Sequence, residues 1–328
     1  MNAPMSNAER QAFLDARRQG IGGSDVAAIL GFSPWKTPLD VYLTKTAPPQ
    51  PDEMSEPAYW GTVLEDVVAQ EYAKRSGCKV QRVRQLLRHP HHPWALANID
   101  RAIVTPSSRA RLDSDGHLLG VEGILECKTA SAYKASDWGR DGDDEAIPVH
   151  YAAQGMWYLA VTGQPWCDFA CLIGGQKFVI KRIERDEETI ASMVEQCRIF
   201  WFDHVLKGVP PAISNGADAA KLFPLDNGQA IEANTEMLAA YSDAVALRAQ
   251  IEAAEQTLEQ CLDTLKASLG EASSVTLHGR KLVSWKCPKD SRKTDWQAVA
   301  IACGASKELI AAHTHTQPGS RRFLFAKQ

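Results

Sequence analysis

Asp100 and, further along the chain, the triplet Glu126-Cys127-Lys128 are the residues whose types and spacing could do chemistry. Two carboxylates arriving from neighbouring strands make a hard oxygen site of the kind that suits magnesium. Side chains alternate along a strand with period two, so Lys128 points to the same face as Glu126. A divalent cation beside an ammonium group can stabilise charge on phosphoryl oxygens, lower the pKa of a bound water, and orient or deprotonate that water. Phosphodiester hydrolysis requires this combination. On an exposed sheet face the same triplet would be an ordinary cross-strand charge pair. The flanking residues decide between the two. Residues 95–100 predict a strand ending in an acid, and the apolar, β-branched run 120–125 leads directly into Glu126. Charged groups at the end of a buried strand need a partner or a metal.

The elements that must position these groups can be read from periodicity. Helices are expected over 8–18, over a short stretch after Ser24 with Ser24 as N-cap and Gly31 as stop, from 33–35 with Pro38 near the first turn, and over 60–76 ending at Gly77. Strands are expected at 79–87, 95–104, 121–128, 166–173 and 177–183, with helices at 148–162 and 187–207 between or after them. Loops are expected at 46–57 and 137–145. This order argues for an α/β core built on a mixed sheet. After Pro210-Pro211 the character changes. A long helix over 234–269 carries apolar residues at 238, 241, 245, 251, 258, 262, 265 and 269, a narrow stripe like that of a coiled-coil arm. Two short strands around His278-Gly279, a helix at 295–302 and a strand at 322–325 complete it. Residues 1–215 are therefore expected to form the core, and 216–328 a C-terminal module of helical arm and small α+β region.

Composition narrows the class. The chain has 328 residues, 45% apolar and 23% charged, which is ordinary for a globular protein. No apolar run approaches the roughly 20 residues that span a bilayer, and residues 1–10 are too polar for an export signal, so cytoplasmic residence without a membrane is expected. The eight cysteines have no C-x-x-C spacing and are expected to be reduced core residues. The tract at 89–93, with three histidines and two prolines, reads as a turn. The net charge of −4 is uneven: residues 72–99 hold six basic residues and no acid, whereas 226–271 hold nine acids against two bases. A nucleic-acid-contacting face backed by an acidic outer face would show this segregation.

Five segments occur in family order: residues 20–25 (Gly-Ile-Gly-Gly-Ser-Asp), 60–65 (Trp-Gly-Thr-Val-Leu-Glu), 98–100 (Asn-Ile-Asp), 126–128 and 151–154 (Tyr-Ala-Ala-Gln). With them the chain resembles, over residues 10–205, the lambda exonuclease or YqaJ-type viral recombinase family of the D…(D/E)-x-K nuclease superfamily. The resemblance implies a restriction-endonuclease-like core, a mixed sheet flanked by helices, and two magnesium ions for which manganese can substitute. Asp100 and Glu126 would be the main metal ligands, with the Cys127 carbonyl and Glu65 contributing. Lys128 would position or activate the attacking water, and Gln154 would orient Lys128 or the nucleophile. Arg17 and Ser24 match positions that hold a DNA 5′-phosphate in the family. Lys134 stands where an arginine is expected, losing a bidentate fork but keeping the charge, and Phe13 stands where relatives often have tryptophan. The implied activity is 5′-to-3′ exonuclease digestion of one strand of linear duplex DNA, leaving a 3′ strand for phage-type recombination. A single-strand annealing partner and a ring-shaped homotrimer are implied as well. An endonuclease of the same superfamily and an inactive DNA-binding scaffold are the alternatives.

Overall fold

The computed structural model describes residues 7–48, 55–139, 146–288, 294 and 296–313. They form two units, residues 1–222 and 223–328. The first begins with helix α1 (Asn7–Arg18), the short α2 (Gly23–Ile29), α3 (Pro38–Thr46) and α4 (Glu56–Ser76). The short strands β1 (Lys79–Gln81), β2 (Leu87–Arg88), β3 (Leu96–Ala97), β4 (Arg101–Val104), β5 (Arg111–Leu112) and β6 (Leu118–Leu119) follow. Then come β7 (Gly123–Ala130), a 3-10 turn (Ala132–Trp138), α5 (Val149–Thr162), β8 (Trp166–Ile173), β9 (Lys177–Glu184), α6 (Glu187–Ile199), a π turn (Phe200–Val205) and α7 (Gly216–Leu222).

The central sheet has the order β1-β4-β7-β8-β9. Only β7 and β8 run parallel; the other pairs are antiparallel. A parallel pair needs a crossover, and α5 supplies it. The expected mixed sheet flanked by helices is therefore present. Its two faces follow from period two along β7. Leu125 packs with Val68, Ala69 and Tyr72 of α4 on one side, whereas Ile124 joins Trp157 and Tyr158 of α5 on the other. Glu126 and Lys128 share the parity of Ile124 and so turn toward α5.

Several boundaries differ from the sequence expectations. The stretch 95–104 is not one strand: β3 pairs with β2, and β4 enters the central sheet after a bend at Asp100. Asp100 thus precedes a strand instead of ending one. The stretch 79–87 likewise divides between two sheets. The third helix starts at Pro38, where Thr37 caps it by accepting from Asp40 N, and not at 33–35. Ser24 is not a cap: α2 begins at Gly23 after Gly22, whose N–H donates to Asp25 Oδ2 at 3.0 Å. Helix α6 ends in the π turn, and α7 was not expected. It docks on the core because the buried Asp218 accepts from Thr37 Oγ1 at 2.8 Å.

In the second unit, helix α8 (Thr235–Leu269) is capped by Asn234, which accepts from Met237 N at 2.8 Å. Its apolar residues Leu238, Tyr241, Ile251, Leu258 and Leu262 are exposed. The hairpin of β10 (Ser274–Leu277) and β11 (Arg280–Ser284) turns at His278 and Gly279. Both have positive φ (49° and 77°), as a two-residue turn matched to strand twist requires. Helices α9 (Trp296–Ala302) and α10 (Lys307–Ala312) end the described part. The expected strand at 322–325 lies outside the described residues. Cys167, Cys171 and Cys197 are buried, but Cys261, Cys287 and Cys303 are exposed, so the expectation of eight core cysteines fails in this unit. No helix among the described residues is long and apolar enough to cross a membrane.

Candidate active site

The β4–β7 register sets Arg101 opposite Leu125, which leaves Asp100 beside Glu126 at the end of the pair. Two contacts lock them. Cys127 N donates to Asp100 Oδ2 at 2.8 Å, and Asp100 N donates to Glu126 Oε1 at 3.3 Å. Lys128 Nζ reaches Glu126 Oε2 at 2.9 Å, confirming the shared face predicted from strand alternation. From α5, Gln154 donates to the same Glu126 oxygen at 3.1 Å and accepts from Lys128 Nζ at 3.2 Å. Tyr158, one turn further along α5, bonds Gln154 Nε2 through its hydroxyl at 3.0 Å. Glu126 is 1% exposed, so this network is what allows a carboxylate there.

The charges are unbalanced. Burial and then Glu126 push the Asp100 carboxyl up to about 8. Burial also raises Glu126, against the opposing pull of Lys128. Burial alone would lower Lys128, but the Glu126 and Asp100 carboxylates override it and hold its pKa above the ordinary lysine range. Glu65 on α4 raises both acids further. Its own carboxylate accepts from Arg82 at 2.8 Å and from Arg101 at 2.5 Å. Oxygen donors crowded against one another around a single ammonium group suit a hard divalent cation. Asp100, Glu126 and the Cys127 carbonyl are the residues that could hold it, whereas the Glu65 carboxylate, expected to contribute, is taken up by Arg82 and Arg101.

A second corner adjoins this cluster. Arg17 donates to Ser24 Oγ at 2.7 Å. Lys45 Nζ donates to Asp25 Oδ2 at 2.7 Å and to the Arg17 carbonyl at 3.0 Å, pinning the end of α1 to the start of α2. Burial opposes charge on Asp25, yet Lys45 and Arg17 keep its carboxyl below the ordinary range. Gly23 seats this corner on α5: a Cβ there would lie 2.4 Å from the Tyr158 ring and 3.1 Å from Gln154 Cγ. The two groups of residues are thus fixed relative to each other.

Lys134 is not joined to either group by a hydrogen bond. It lies exposed on the 3-10 turn and pairs with Asp137 at 3.3 Å. Phe13 lies beneath Arg17, 5.8 Å from the guanidinium carbon to the ring centre. The basic run does not gather as one free face. Arg75 pairs with Glu71, Arg82 with Glu65 and Asp66, and Lys79 and Arg88 donate to backbone carbonyls. The histidine tract is a turn, with His92 N bonded to the His89 carbonyl. Sequence reasoning passed over Lys45, Arg101 and Tyr158. Of these only Tyr158 carried a signal, its helical spacing from Gln154. It also passed over Asp113, Asp115 and His117, whose ligand atoms lie within 4.8 Å of one another. That group closes the β5–β6 turn: Asp113 accepts from Asp115 N and His117 N.

Known proteins bear on this arrangement. The model of the YqaJ-like viral recombinase domain matches residues 12–165, which contain all the site residues above. The chain is 37% identical over 325 residues to the uncharacterized protein YqaJ of Bacillus subtilis (strain 168), covering 95% of this chain and 94% of that one. Among solved structures it is similar to the alkaline exonuclease LHK-Exo of Laribacter hongkongensis (TM-score 0.48, 20% identity, 65% of this chain and 100% of that one). It is also similar to a phage related exonuclease of Haemophilus somnus 129PT (TM-score 0.44, 12% identity, 58% and 96%). With near-complete coverage of the Bacillus protein and a domain match spanning the whole cluster, the chain belongs to the YqaJ-like viral recombinase family.

Proposed function

We propose that this protein is a metal-dependent deoxyribonuclease that digests one strand of linear duplex DNA from its 5′ end. The observation that carries this reading is the meeting of Asp100, at the bend before β4, with Glu126 and Lys128 of β7 in one hydrogen-bonded network. A divalent cation at these oxygens, two in all by family resemblance and magnesium or manganese by donor chemistry, would stabilise charge developing on the phosphoryl oxygens. Lys128, hydrogen-bonded to Glu126 and Gln154, orients the attacking water or takes its proton, and its charge screens the phosphate. Gln154 fixes the Lys128 head group and one Glu126 oxygen together. Arg17 and Ser24 bind the terminal 5′-phosphate, and Lys134 adds positive charge nearby.

A recombinase-family nuclease of this kind leaves a 3′ strand for an annealing protein. A ring-shaped homotrimer would make digestion processive, and the cytoplasm is where DNA ends and that partner meet. The test is linear duplex labelled at either end, with and without a 5′-phosphate, incubated with magnesium. The 5′ label leaves first and closed circles survive. Cutting of closed circles would make the protein an endonuclease, and binding without any cutting would make it a scaffold.

A further inference from the structure

Trp35 stands between α2 and α3 with 68% of its surface exposed. Its ring meets that of His150 edge to face, with centroids 4.8 Å apart. His150 in turn meets Tyr151 at 4.2 Å, and the Tyr151 ring lies 5.0 Å from Lys128 Nζ. The buried Trp138 flanks Tyr151 at 5.7 Å. A row of rings therefore runs from solvent to the ammonium group of the hydrolytic cluster.

Core packing explains Trp138 and most of Tyr151. It does not explain an indole held largely in water at the outer end. Nor does polar contact explain His150: its Nε2 is buried and has no hydrogen-bond partner among the described residues. The rings of Trp35 and Tyr151 lie against this imidazole on either side along the row. The charged groups acting on it are Lys128 and Lys134, with Asp137 opposing them. Aromatic faces beside positive charge are how grooves hold single-stranded nucleic acid, because every base offers a π face and the backbone is anionic.

We propose that Trp35 and His150 form a base-stacking site for a nucleobase flanking the phosphate to be cut. Stacking there holds the strand in register with Lys128 irrespective of sequence. This rests on the nuclease reading for the position of the scissile phosphate.

The test uses the full chain and duplexes bearing a single abasic residue at each position near the 5′ end, with binding measured in chelator so that nothing is cut. For wild type, one abasic position weakens binding roughly 5- to 100-fold, the usual worth of one stacked base. Trp35→Ala shows a similar loss on intact DNA and no further loss when the abasic residue occupies that position, and Trp35→Phe restores discrimination. His150→Ala repeats the pattern in a variant that leaves the indole in place. Penalties that simply multiply at every position, or intact-DNA affinity unchanged in both alanine variants, would overturn the proposal. Cleavage is followed separately. A protein that cuts no DNA defeats the nuclease reading, whereas a cutting enzyme with multiplying penalties defeats only the stacking site.

Discussion

Replacing Asp100 by asparagine should stabilise the metal-free protein while destroying its response to divalent cations. The folded carboxyl titrates at about 8 against an ordinary 3.8, because it is buried and faces Glu126. The folded state keeps this proton up to about pH 8, whereas the unfolded chain loses it near 3.8. More protons are bound in the folded state across that window, so stability falls as pH rises through it. At 1.36 kcal/mol per pKa unit the limiting cost of ionising Asp100 is ~6 kcal/mol. Water reaches part of this side chain, and relaxation brings the expected effect nearer ~2 kcal/mol. Asparagine keeps an oxygen to accept from Cys127 N and removes the charge. In EDTA at pH 8, Asp100→Asn should therefore melt roughly 4–8 °C above wild type, with the gap closing toward pH 4. Manganese should raise the melting temperature of wild type and leave the variant nearly unchanged. A variant less stable than wild type in EDTA at pH 8, or equal stabilisation of both by manganese, would refute the reasoning.

Four further outcomes rest on the same geometry. Lys128→Ala should lower hydrolysis by about 10²–10⁴-fold while DNA binding in chelator persists, and a wild-type rate would remove Lys128 from the chemistry. Gly23→Ala drives a methyl into the Tyr158 ring. It should cost about 1–3 kcal/mol in chemical denaturation and slow cleavage by displacing Gln154; unchanged stability would mean that α2 is not seated on α5 as described. Lys45→Ala strands the buried Asp25 charge and should cost ~3–5 kcal/mol. Because the Asp25 pKa is lowered, its stabilisation is full above 3.8 and lost as pH falls through the lowered value. Asp25→Asn should therefore flatten the acid limb of the stability curve, and an unchanged limb would show that the pair contributes nothing there.

The shared face of Glu126 and Lys128 was legible in the sequence because strand alternation fixes it without knowledge of anything else. The α4, α5, β8 and β9 elements were legible for a similar reason, each carrying an uninterrupted period or a clear stop such as Gly77. What failed depended on partners remote in sequence. Nothing local says that Asp100 stands at a bend, because the break between β3 and β4 is made by their pairing with different sheets. A serine before a helix looks alike whether it caps the helix or meets an arginine, and Ser24 meets Arg17. Lys45 reads as a surface lysine until Asp25 and the Arg17 carbonyl are found against it. Trp35 and His150 are far apart in the chain, and only the docking of α2 on α5 makes them neighbours.

On the nuclease reading, Asp100, Glu126 and the Cys127 carbonyl hold a divalent cation against a DNA backbone. Crystals of the full chain soaked in manganese, with data collected for anomalous scattering, test it most directly. A peak is expected within roughly 2.0–2.6 Å of carboxylate oxygens of both Asp100 and Glu126. Absence of a peak there, or a peak only at Asp113, Asp115 and His117, would contradict it.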